Sequence, residues 1–128
     1  MKGIFQFTAY ASVFFSASLI CQQALAAEDI KGDATSGKAT FDTICSHCHE
    51  TTYEDSRIGA PGLQGVLERH DEAWLNQWIK GPENFAKVDE TAKDLIESNK
   101  FGLAMPTLPA MMDDQKRADV IEYLKTLK

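Results

Sequence analysis

Three cysteines are all this chain possesses, and none follows Cys48. Cys21 lies in an uncharged N-terminal stretch, so Cys45 and Cys48 stand as an isolated pair and no disulfide framework is available. A closed zinc site needs four protein ligands, and His70 is the only histidine outside the segment from Cys45 to His49. Strand-like alternation is missing from the body of the chain, which argues against the βαβ setting of a thioredoxin-type C-x-x-C pair. Basic residues are also scarce, with 13 Lys and Arg against 19 Asp and Glu and a formal net charge of −6. That balance argues against nucleic acid or an anionic membrane as a partner. A long, purely apolar run is lacking too. Gly3 to Ala27 carries no charge, but Ser, Thr and Gln interrupt it and make it a poor spanning helix. Ser18 and Ile20 stand where a lipidation signal at Cys21 would want Leu and a small residue. The chain has no internal repeat and no low-complexity tract.

What is there centres on Cys45-Ser46-His47-Cys48-His49. Two thiols three residues apart lie on one face of a helical turn. From that face they can add to the vinyl groups on two adjacent pyrrole rings of a haem. His49, four residues from Cys45, then points its imidazole at the iron, a metal that imidazole nitrogen suits. The segment therefore reads as the attachment signature of one covalent c-type haem. A zinc half-site and a redox dithiol are the alternatives, each lacking its remaining parts. His47, between the cysteines, is expected to face away as a solvated position.

The N-terminus supports that reading. Met1-Lys2 precedes the uncharged stretch, Ala24-Leu25-Ala26 supplies an A-x-A cleavage signal, and Glu28 and Asp29 follow at once. Residues 1–26 are expected to be a secretory signal peptide and 27–128 the mature domain, with retention as an anchor the alternative. Export to the periplasm would bring the chain to a compartment where haem attachment occurs. A small domain without disulfides gains from another cross-link, and covalent haem is one. Losing the one positive charge of Lys2 with the leader takes the net charge from −6 to −7. This suits a redox partner with a basic docking patch, or docking through an apolar haem edge; a surface that is acidic only for solubility is equally compatible.

Taken in order, the mature chain reads as all-α. Asp33 is placed to cap a helix running to about Ile44, with Ala34, Gly37, Phe41 and Ile44 on one face. Gly37 inside a helix costs about 1 kcal/mol relative to Ala, which points to close approach of another helix. A Gly/Pro loop follows at Ile58 to Leu63. Pro61 is positioned to offer its carbonyl to the second ring nitrogen of His49, as ligating histidines usually require, and Leu63 would pack on the haem. Gly65 to Arg69 is expected to form a short helical turn. Asp71 is expected to cap a helix over 72–80, ended by Gly81 and Pro82, with its tryptophans in the core. His70 before that cap is expected to be an exposed bystander. Glu83 to Val88 reads as a linker. Asp89 is expected to start a helix to about Ser98, and Asp113 another to about Leu127 with Val120, Ile121, Leu124 and Leu127 inward. Between them Pro106 and Pro109 impose an extended loop.

Over nearly its whole mature length the chain resembles a class I c-type cytochrome. The resemblance rests on Gly32-Asp33…Gly37…Phe41…Cys45-x-x-Cys48-His49, on Gly59-Ala60-Pro61-x-Leu63, and on Met105-Pro106-x-Leu108 before a helix containing Tyr123-Leu124. It implies a small cytochrome c fold with the first and last helices crossing, Gly37 and Phe41 packing on Val120 and Tyr123. It also implies that Met105 is the sixth iron ligand; Met111 and Met112, a few residues on, are competitors. Arg117 departs from the pattern, since the last helix more often carries an apolar residue there. His/Met ligation raises the potential of the iron. The function implied is an exported protein, a monomer or part of a redox complex, that carries one electron between redox partners. The rivals are a haem subunit held permanently to a periplasmic dehydrogenase or oxidase, and a peroxidase-like or gas-binding haem protein with an open sixth position.

Overall fold

The computed structural model describes residues 30–128; the expected signal peptide lies outside them. Four aspartates set the helical frame. Asp33, Asp71, Asp89 and Asp113 each hold extended backbone and accept a hydrogen bond from the amide three residues on, at 2.7, 2.8, 2.8 and 2.9 Å. Each satisfies a donor that a helix start leaves unpaired, a contribution of about 1 kcal/mol. The elements in order are α1 (Ala34–Thr43), a 3-10 turn (Cys45–His47), α2 (Val66–Arg69), α3 (Glu72–Lys80), α4 (Pro82–Phe85), α5 (Glu90–Glu97), a second 3-10 turn (Pro109–Met112) and α6 (Asp114–Leu124). Among the described residues every regular element is helical.

Two segments differ from expectation. The supposed linker after Pro82 contains α4, because proline suits the first helical position, where its missing N–H would have no partner anyway. The last helix stops at Leu124 rather than Leu127. The residues beyond it turn away to serve another part of the chain: the Leu127 carbonyl accepts from Gly65 N–H at 2.7 Å, and the Lys128 carbonyl from Gln64 Nε2 at 2.8 Å.

Helices α1 and α6 cross in close contact. A Cβ on Gly37 would lie 1.9 Å from the Asp119 carbonyl oxygen, and one on Gly32 would lie 2.2 Å from that of Ala118. The glycines therefore let two backbones meet, the reason for tolerating Gly37 in mid-helix. Below the crossing, the rings of Phe41 and Tyr123 sit 5.3 Å apart. Buried Asp119 ties the elements further, accepting from Asp33 N–H and from Gln115 Nε2, both at 2.8 Å.

Arg117 is 2 % exposed, yet its hydrogen bonding is satisfied. It donates to Asn76 Oδ1 on α3 at 2.7 Å, to the Met111 carbonyl at 2.6 Å, and to the carboxylate of Asp114. A buried guanidinium persists when each of its nitrogens has an acceptor, as here, so this departure from an apolar pattern joins three elements. Phe41, Val66, Leu75, Met111, Val120 and Leu124 form the floor of the core, and the same side chains wall a crevice above it.

Candidate functional site

Helix α1 ends by tightening. Ile44 N–H reaches the carbonyls of Thr40 and Phe41 at 3.0 and 3.3 Å, and the chain then enters the 3-10 turn. The amides of Cys48 and His49 both donate to the Cys45 carbonyl, at 3.1 and 2.9 Å. This double closure brings half-buried Cys45, exposed Cys48 and half-buried His49 to one side. All three line the crevice. His47 stays exposed, with Nδ1 3.2 Å from the Ile44 carbonyl. Burial pushes the Cys45 thiol above its ordinary pKa, and Cys48 beside it adds to the effect.

His49 Nδ1 lies 2.9 Å from the Pro61 carbonyl oxygen, the partner expected from the loop sequence. A carbonyl only accepts, so Nδ1 carries the proton and Nε2 of the neutral ring keeps a free lone pair. Burial lowers the His49 pKa, outweighing the opposite pull of the Pro61 bond, and so favours that neutral form. The loop is held from behind, with Leu63 N–H on the Glu50 carbonyl at 3.0 Å and Gln64 N–H on that of Thr52 at 3.2 Å.

The crevice has two lobes, of about 350 and 180 Å³. Cys45, His49, Pro61, Trp78, Met105 and Leu108 border both. Leu63 lines the larger lobe and Cys48 the smaller, so every residue expected at the site reaches it. The methionines separate clearly. Met105 is half-buried on the wall common to both lobes. Met111 is fully buried and borders only the larger one, while Met112 is 55 % exposed and borders neither. A slot with apolar walls, an imidazole nitrogen, a thioether and two thiols at its margin fits a planar iron macrocycle attached covalently.

Sequence reasoning overlooked two parts of the larger lobe. His70 is half-buried rather than an exposed bystander, stacked on Trp74 with centroids 4.0 Å apart. Their four-residue separation was the available signal, obscured by the helix cap between them. Arg69 also lines the lobe, donating to the carbonyls of Gly62 at 2.6 Å and Gln64 at 2.9 Å. Trp74 bonds through Nε1 to Asp89 Oδ1 at 3.1 Å, which joins α3 to the start of α5.

The family model for cytochrome c matches residues 34–128. A cytochrome c2 from Rhodopila globiformis is 36 % identical over 107 residues, covering 76 % of this chain and 95 % of its own length. A cytochrome c from Tetrahymena pyriformis is 31 % identical over 107 residues, covering 76 % and 91 %.

Proposed function

Because the chain belongs to the cytochrome c family, as a class I monohaem electron-transfer protein rather than an enzyme, we propose which of its residues hold the covalent haem c and what each contributes. The bound haem supplies the iron that accepts and releases one electron. Cys45 and Cys48 are the two thioether anchors, each sulfur adding to one vinyl group. His49 ligates through Nε2; the observation that carries this is the 2.9 Å bond to the Pro61 carbonyl, which leaves that nitrogen unprotonated and aimed by a rigid turn. Met105 is the sulfur ligand. Its thioether favours the ferrous state and raises the potential, and Pro106 and Pro109 stiffen its loop so that the ligand stays put when the charge changes. Leu63 and Leu108 exclude water. Arg69, the one lysine or arginine among the described lining residues, would offer the haem carboxylates a counter-charge.

Two measurements test this. Haem is expected to remain with the polypeptide through acid–organic extraction, whereas freely extracted haem would refute the anchors. Met105→Ala is expected to abolish the ferric sulfur-to-iron charge-transfer band, lower the potential and admit exogenous ligands. Met111→Ala and Met112→Ala are expected to leave band and potential nearly unchanged; loss of the band in either would move the ligand. The export pattern of residues 1–26 supports a periplasmic carrier, which cell fractionation with and without that segment checks. The acidic balance of the chain supports redox protein partners bearing a basic patch.

A further inference from the structure

One side chain joins the loop whose Pro61 carbonyl holds His49 to the loop that carries Met105. Asn99 follows α5 and lines the smaller lobe. Its Nδ2 donates to the Gly59 carbonyl at 2.9 Å, across 40 positions of sequence. Its Oδ1 accepts from Phe101 N–H at 2.9 Å and Leu103 N–H at 3.1 Å. Gly59 is two residues before Pro61, whose carbonyl accepts the hydrogen bond from His49 Nδ1, and Leu103 is two residues before Met105. A single amide therefore uses its donor on the histidine-side loop and its acceptor on the methionine-side loop.

The fit around it is close. Gly59 has φ +74°, and a Cβ there would lie 3.1 Å from Phe101 Cδ2 and 3.2 Å from Asn99 Nδ2. Glycine thus serves both the left-handed backbone and the approach of the other loop. The other link between these segments is weak by comparison. Lys100 Nζ lies 3.8 Å from Asp55 Oδ2, with both side chains more than half exposed, and such pairs add little in water.

We propose that Asn99 is a positioning residue that couples the two axial ligands, so that the seating of Met105 and the Pro61 carbonyl's hold on His49 rise and fall together. The inference rests on Met105 and His49 being those ligands. Without the Asn99 bridge, each loop can move while the other stays. Met105 would then leave the iron more often, and the Nδ1 proton of His49 would meet solvent more often.

Asn99→Asp separates the two halves of the clamp. Its carboxylate keeps the acceptor for Phe101 and Leu103 and loses only the donor to Gly59, whereas Asn99→Ala loses both. The ferric holoprotein is titrated with imidazole, and exchange of the His49 Nδ1 proton is followed by NMR. Both variants are expected to bind imidazole about fivefold more tightly than wild type, the ratio that one net hydrogen bond sets, and to exchange the His49 proton faster. Lys100→Ala is expected to match wild type. Ile121→Val, a buried change away from the crevice, is expected to lower the denaturation midpoint without moving either readout.

If imidazole affinity rises in Asn99→Ala but not in Asn99→Asp, the residue shapes only its own turn and the coupling is refuted. Unchanged proton exchange at His49 in both variants refutes it equally. A charge-transfer band that survives Met105→Ala overturns the ligand assignment and this inference with it. The same band lost in Met105→Ala, together with wild-type imidazole affinity in Asn99→Asp, overturns the coupling alone.

Discussion

His49 and Arg117 show how much one carbonyl can decide. The Pro61 oxygen sets the tautomer of His49, and the Met111 oxygen is one of three acceptors that hold the buried Arg117 guanidinium. Arg117→Met is expected to destabilise the holoprotein by about 2 kcal/mol, because the buried Met111 carbonyl and half-buried Asn76 lose their donor. Asp114→Asn should cost less than about 1 kcal/mol, since Asp114 is largely exposed; comparison of denaturant midpoints decides between them. His70 carries a pH dependence. Burial, then Arg69, lowers its pKa, while Asp89 and Asp71 pull weakly the other way. The unfolded chain therefore binds this proton more readily than the folded one. The stability linked to His70 is full above the ordinary histidine value of 6.5 and is lost as pH falls through that value toward the lower folded one. Denaturation midpoints measured across this window should fall on acidification, and less so in His70→Gln.

The crossing of α1 and α6 is a contact between backbones, so its tolerance for added atoms is small. Even Gly37→Ala places a Cβ within 1.9 Å of a main-chain oxygen. Gly37→Val is expected to cost about 3 kcal/mol through overpacking, read as a drop in the denaturation midpoint. Gly81, between α3 and α4, meets nothing within 4 Å of an added Cβ. Gly81→Ala should change stability by less than about 0.5 kcal/mol. Gly37→Ala and Gly81→Ala make the same chemical change in opposite surroundings, and equal midpoints for these two would contradict the crossing. The loop from Leu103 to Pro109 behaves differently from the helices. It has little regular hydrogen bonding of its own, so its shape depends on two prolines, on Asn99 at one end and on the Arg117-held turn at the other.

For the molecule as a whole, the proposed basic partner implies that charge governs encounter. With 19 acidic against 13 basic side chains, the chain should be steered to a basic redox partner over a distance that salt shortens. The second-order rate of electron exchange with such a partner is expected to fall steadily as ionic strength rises through the physiological range, in stopped-flow measurements. A rate that is flat or rises would mean that the acidic surface serves solubility alone and that contact is made through the uncharged margin of the smaller lobe.

The local chemistry of this protein is decided by its sequence alone. Four aspartate caps, the C-x-x-C-H turn, the proline-stiffened methionine loop and the anomalous Gly37 act over a few residues, where backbone sterics and short hydrogen bonds dominate. Together with the family resemblance they pointed to the all-α fold, to the covalent haem and to six residues that line the crevice. Tertiary structure decided what depends on neighbours distant in sequence. Arg117 looks misplaced until Asn76, Met111 and Asp114 surround it, and His70 looks exposed until Trp74 packs over it. The residues after helix α6 leave it, and their Leu127 and Lys128 carbonyls meet Gly65 N–H and Gln64 Nε2, partners some sixty residues away. Asn99 reads as an ordinary helix-ending residue until its amide meets Gly59 across the crevice. Whether a polar group is paired or orphaned depends on where the rest of the chain ends up, and local patterns hold no record of that.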